Sequence, residues 1–160
     1  MLKKQDDQNK FDSTFTKKLR VAIIRPDYHH QLNLNLENNC RQTLIKHGLS
    51  KSNVVTYVAP GSWEIPITAQ KVAKSGGFDA IVAFGIIVKG ETYHFEMIAN
   101  EVARTLMQIS LDFSIPIALE VLAVFDIAQA KARATNDQHN KGIEGAIAVL
   151  KTLKVLESIS

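Results

Sequence analysis

The chain has a single cysteine, Cys40, among its 160 residues, so no internal disulfide can form. That fits a reducing compartment. Charge of one sign is also lacking. Nineteen Lys plus Arg against 16 Asp plus Glu leave +3, too mild a balance to mark nucleic-acid binding. The basic residues are dispersed, apart from pairs such as Lys3-Lys4 and Lys17-Lys18, which read as solvated surface. No long apolar run occurs. The longest, Ala80 to Val88, falls far short of the ~20 residues that span a bilayer. The N-terminal stretch MLKKQDDQNKFDSTFTKK has no apolar segment of the secretory type. A soluble, cytoplasmic protein without nucleic-acid or membrane partners is expected.

Several catalytic signatures are missing as well. No G-x-G-x-x-G follows a strand, so a dinucleotide site is unsupported. No G-x-x-x-x-G-K-[ST] and no G-x-S-x-G occurs, which removes a P-loop and a nucleophile elbow. The pair His29-His30 has no second compact cluster of ligands to complete a metal site. No internal repeat or low-complexity segment is present.

What remains is an ordinary globular balance, 46% hydrophobic and 22% charged, at the length of one domain. Residues 1–18 are polar, with Leu2, Phe11 and Phe15 as the only apolar anchors. They read as a mobile N-terminal arm. Residues 19–160 read as one α/β domain. Strands are expected at Leu19 to Ile24, ending before Pro26, then at Val54 to Val58, Ala80 to Val88 and Ile115 to Val124. Leu32, Leu36, Cys40 and Leu44 recur at steps of four, and Gly48 closes that helix. Further helices are predicted over 64–74, 93–112, 126–134 and 140–157. The alternation implies a mostly parallel four-stranded sheet with helices on both faces. Ligands then belong at the carboxyl ends of the strands.

Chemistry concentrates in those loops. Lys89-Gly90-Glu91-Thr92-Tyr93-His94 leads from the third strand into a long helix. Gly90 allows close backbone approach. The following amides and the helix dipole favour an anion. Thr92 adds a hydroxyl donor, or caps the helix. The Glu91 carboxylate would repel a phosphate, so its N–H has to contribute while its side chain turns away. His94 lies in the first helical turn, where an imidazole can carry protons. After the second strand, Ser62 is a capping candidate. Trp63, the only tryptophan, offers a flat face, and Glu64 can accept from hydroxyls. Tyr28 can stack on a heterocycle, and Arg133 can grip a phosphate. Together these features suggest an enzyme acting on a small phosphorylated substrate.

Three segments, Pro60-Gly61-Ser62-Trp63-Glu64-Ile65-Pro66, Gly85-Ile86-Ile87-Val88-Lys89-Gly90-Glu91-Thr92-Tyr93-His94, and Gln129-Ala130 through Arg133 to Asn140-Lys141-Gly142, occur in the order and spacing of the lumazine synthase family, which the chain resembles from about Leu19 to its C-terminus. The resemblance implies a flavodoxin-like three-layer sandwich. It implies a transferase of riboflavin biosynthesis that condenses a ribitylaminouracil with a dihydroxybutanone phosphate and needs no cofactor. Tyr28 then stacks on the pyrimidine. Ser62, Trp63 and Glu64 hold the ribityl chain. Ile86, Ile87 and Val88 read the uracil edge, and Leu119 lies over the substrate. Glu91, Thr92 and Arg133 bind phosphate, and His94 is the proton donor. Lys141 and Glu144 form a charged pair beside the site. Family sites lie between subunits, which implies a homopentamer or a sixty-subunit shell of twelve pentamers.

The fourth strand departs from the pattern. Members usually carry glycine near Glu120 and threonine near Ala123. Here Phe125 and Asp126 replace more typical polar residues, and Leu119 stands where an aromatic is common. This motivates a second reading, a flavin- or lumazine-binding shell protein of the same fold without turnover. A phosphoacceptor receiver domain is the third reading, but the third strand ends Val88-Lys89-Gly90 with no aspartate.

Overall fold

The computed structural model describes residues 10–159. Of the expected arm over 1–18, residues 1–9 lie outside the described residues. Within the remainder, Ser13–Thr16 forms helix α1, capped by Asp12, whose carboxylate accepts from the Thr14 amide at 2.9 Å. Phe11 and Phe15 pack against the core.

Four strands follow: β1 (Val21–Pro26), β2 (Val54–Ala59), β3 (Ala80–Val88) and β4 (Ile117–Val124). They form one sheet in the order β2-β1-β3-β4, and every pairing is parallel. Helices α2 (His30–Lys46) and α6 (Lys141–Ile159) cover one face, where Leu36, Cys40, Leu44 and Leu150 meet Val21, Ile23, Val82 and Phe84. Helices α3 (Ile65–Ser75) and α4 (His94–Phe113) cover the other, where Ile65, Ala69, Val102 and Leu106 meet Ala22, Ile24, Ile81 and Ala83. The short α5 (Ile127–Arg133) follows β4. This is the three-layer α/β fold expected from the alternation. β3 is apolar throughout because it is central and covered on both faces.

Local chemistry sets the boundaries. At the end of α2, Gly48 adopts φ 110°. The Gly48 and Leu49 amides donate to the Ile45 and Leu44 carbonyls at 3.0 and 3.2 Å. This is a Schellman motif, and it needs the left-handed residue that glycine supplies.

Strand boundaries correct the sequence reading: β1 starts at Val21 instead of Leu19, β2 runs on to Ala59, and two further shifts have a clear local cause. β1 runs through Pro26 instead of ending before it. The Asp27 amide donates to Ala59 at 2.8 Å, so the Pro26 nitrogen faces β3. The β1–β3 register stops at Ile24 with Ala83, and no ladder bond is lost there. β4 begins at Ile117, not Ile115. The Ile115 amide donates to Ser110 at 3.1 Å, closing α4 behind Ser114 at φ 50°.

No helix among the described residues is long and apolar enough to cross a membrane.

Candidate active site

Parallel pairing brings all four carboxyl ends to one edge of the sheet. There the strands end unequally. The register with β1 stops at Ala83, while that with β4 continues to Val88 beside Val124. Ile86, Ile87 and Val88 therefore overshoot β1. Their peptide edge on that side has no strand partner among the described residues, so it is free to pair with a planar heterocycle. Their side chains are buried or half-buried, which leaves the backbone as the readable feature.

The Ser62–Glu64 turn, a single 3-10 turn, flanks this edge. Ser62 does not cap α3. The N-cap is Glu64, with no side-chain capping bond. The Ser62 hydroxyl instead rests over β3, where a Cβ at Gly85 would stand 3.1 Å from its Oγ. The Glu64 carboxylate turns back toward Gly61, whose Cβ would stand 3.1 Å from Oε2. Trp63 is 57% exposed. Its ring lines a groove of about 520 Å3 between α3 and α4, together with Ile67, Gln70, Glu101 and Thr105.

The loop after β1 presents Tyr28, 68% exposed, edge-on to His29 at 4.7 Å between ring centres. Asn33 of α2 anchors it by donating to the Tyr28 carbonyl at 2.8 Å. His30 Nδ1 lies 3.1 Å from Asp27 Oδ1. Among the described residues no three His, Cys, Asp or Glu side chains are grouped to hold a metal.

The turn after β3 opens directly into α4, with His94 as its first residue. Thr92 is not the cap. Tyr93 occupies that position and makes no side-chain capping bond, so the helix end presents amides to the space in front of it. Gly90 has nothing within 4 Å of where a Cβ would lie, and Glu91, Thr92 and His94 are all exposed. Lys89 folds back over the same helix. Its Nζ lies 2.9 Å from Glu96 and 5.5 Å from the centre of the Phe125 ring. The hydrogen bond from Lys89 holds the Glu96 carboxyl below its ordinary range.

Leu119 lies away from this edge, while α5 is held at it, with Ala130 packed among Ile86 and Val124. Leu119 pairs with Ala83 in mid-sheet and is 48% exposed. It lies five positions before Val124, roughly 16 Å from the strand end at ~3.3 Å per residue. Arg133, at the end of α5, donates to the Gln129 carbonyl at 2.9 Å. Lys141 Nζ bonds Glu144 Oε2 at 2.6 Å in the first turn of α6.

Two features of this region were not assigned from sequence. Phe125 was visible only as a departure, yet it follows Val124 as Lys89 follows Val88, and the register places the two side by side. Glu120 lies buried on the α6 face of β4. Burial, with the Glu144 charge adding and Lys141 opposing, raises its carboxyl to about 8. An acidic residue inside an apolar strand was the available signal.

An anion-favouring helix end, a histidine on its first turn and an open strand edge converge on one side of a parallel sheet. The chain also matches the 6,7-dimethyl-8-ribityllumazine synthase family over residues 18–157, nearly its whole length, and it belongs to that family of transferases of riboflavin biosynthesis.

Proposed function

We propose that the chain condenses 5-amino-6-(D-ribitylamino)uracil with 3,4-dihydroxy-2-butanone 4-phosphate, giving 6,7-dimethyl-8-ribityllumazine, phosphate and two waters. The overshoot of β3 carries this reading. It sets the open peptide edge of Ile86–Val88 immediately before the amides and imidazole that begin α4. A uracil edge needs alternating donors and acceptors, and a strand edge supplies them. Tyr28 stacks on the ring. Ser62, Trp63 and Glu64 hold the ribityl hydroxyls and chain. Glu91 and Thr92 offer the phosphate their backbone and hydroxyl donors, and Arg133 completes the grip.

The substrate amine attacks the ketone, and loss of water gives an imine. His94 then moves protons during phosphate loss and ring closure. Holding both substrates in one site supplies much of the rate, with effective molarities of ~10⁵ M or more within reach. Donors fixed at the α4 end stabilise the departing phosphate. No cofactor enters this sequence.

The position of Leu119, away from the strand ends, supports a site shared between subunits, in which Arg133 and the phosphate turn of one chain face Tyr28 and Trp63 of its neighbour or the reverse. The exposed aromatic and aliphatic side chains of Trp63, Ile67, Met97 and Met107 on the α3–α4 face favour a homo-oligomer, which we take as a pentamer working in the cytoplasm.

Purified protein supplied with both substrates is expected to form lumazine, read by its absorbance, well above the rate in buffer. Equal rates would end this reading. Lumazine or flavin binding without turnover would favour the non-catalytic shell protein instead. Light scattering that returned a monomer would remove the shared site.

A further inference from the structure

Between β4 and the start of α6 lies a carboxyl group that the reaction above does not use. Glu120 is 9% exposed, and its side chain runs beneath the α6 backbone at Gly145. A Cβ at Gly145 would stand 2.9 Å from Glu120 Cγ and 3.6 Å from Oε1, so the absent side chain makes room for the acid. One residue earlier on α6 is Glu144, which holds Lys141 at 2.6 Å.

The surroundings of Glu120 are few. On α6, Lys141 lies four residues before Gly145 and so shares the face under which Glu120 runs, and its ammonium and the Glu144 carboxylate act on the acid. From α2 the buried Cys40 thiol is pushed up by its own burial first and by the charge of Glu120 next. From β3 the neighbours are apolar, Phe84 in register and Val82 across the Gly145 contact.

We infer that Glu120 is a positioning residue for the Lys141–Glu144 pair: its neutral carboxyl leaves the ammonium to Glu144 at the edge of the site, and its ionised form draws that ammonium inward. This rests on the assignment of Lys141 and Glu144 to the site.

The electrostatic argument has a definite sign. Burial is the main reason that the acid stays protonated near neutral pH, and the Glu144 charge adds to it. Lys141 then has one close anion. As pH rises through about 8, a second anion forms next to Glu144. The two carboxylates repel each other and compete for one cation. Glu120 thus couples the position of Lys141 to mildly alkaline pH, and it does so from inside the sheet without touching substrate.

The test uses Glu120→Gln, which keeps the shape and removes the titration. In the ligand-free protein, the 13Cε signal of Lys141 is followed by NMR from pH ~6 to ~10. An inflection near the Glu120 titration is expected in the native chain and is expected to vanish in Glu120→Gln. In Glu144→Gln it should move to lower pH, since a repelling charge is gone. In parallel, kcat/KM for lumazine formation should fall about tenfold between pH ~7 and ~9 in the native chain, and less than twofold in Glu120→Gln. Identical Lys141 curves in the native chain and Glu120→Gln would overturn the inference. If Glu120→Gln does not fold, an unmoved inflection in Glu144→Gln would do the same. The NMR experiment needs no turnover, so a native chain that makes no lumazine defeats the proposed reaction while leaving this inference to its own measurement.

Discussion

The hydroxyl of Ser62 sits over Gly85, so close that a Cβ on Gly85 would stand 3.1 Å from its Oγ. This contact fixes the height of the Ser62–Glu64 turn above β3. Ile65 Cδ1 and Val121 Cγ1 would stand 3.1 and 3.2 Å from the same Cβ, so the position is tight on three sides. Gly85→Ala should displace the turn and raise KM for the ribitylaminouracil about tenfold. The cost in stability should be about 1–3 kcal/mol, the usual range for overpacking. Steady-state kinetics with each substrate varied, beside urea unfolding, separates the two effects.

His94 and Arg133 are predicted to fail differently. His94 is exposed at the start of α4, so His94→Ala should leave the melting temperature nearly unchanged. It should lower kcat on the order of 10²-fold, the lower end for a lost proton carrier. Arg133→Ala should raise KM for the phosphorylated substrate far more than KM for the uracil. A uniform loss for both substrates would contradict the phosphate role.

Helix α6 crosses α2 at Gly142. A Cβ there would collide with the Leu36 carbonyl oxygen and stand 3.0 Å from the Cys40 nitrogen. Backbone cannot move aside as a flexible side chain can. Gly142→Ala should therefore destabilise the fold by about 3 kcal/mol or more, measured as a lowered urea midpoint with little change in slope.

Beneath α2, Arg25 and Glu37 form a buried pair at 2.5 Å, both under 10% exposed. Thr56 also donates to Glu37 at 2.6 Å. Burial alone would raise the Glu37 carboxyl. The hydrogen bonds from Thr56 and Arg25 and the charges of Arg25 and Arg41 outweigh it, and the net direction is down. The folded value thus lies below the unfolded one near 4.5. Its contribution is present above pH ~4.5 and lost as pH falls through the folded value. Glu37→Gln should cost about 3 kcal/mol at neutral pH, because it leaves Arg25 buried without an anion. The gap to the native chain should narrow as urea unfolding is repeated at increasingly acidic pH.

Glu120 behaves in the opposite sense. Its folded value, about 8, lies above the ordinary 4.5. Stability from this group is full below pH ~4.5 and declines as pH rises through about 8. Glu120→Gln, which cannot ionise, should match the native chain near pH ~4.5 and exceed it by a few kcal/mol (~2–4) at pH ~9. Urea unfolding at the two pH values checks the sign.

Much of this was legible in the chain itself. β3 announces itself because a central parallel strand has to be apolar on both faces. α2 shows its stripe and its Gly48 stop, since a helix buries one side and needs a left-handed residue to end in this way. The strand-end rule placed Tyr28, Ser62 and His94 at one edge before any coordinates. The 3-10 turn at Ser62–Glu64 was not legible. Serine, tryptophan and glutamate are equally suitable as a helix start, and only packing against Gly85 decides between them.

By itself the sequence determined the order of elements, the parallel sheet and the family, because periodicity, turn residues and motif spacing are local properties. Only the tertiary structure decided which strand overshoots which, that Phe125 meets Lys89, and that Glu120 lies under Gly145 of α6. Register and side-chain depth arise when distant segments settle against one another, and no local pattern encodes the height at which they stop.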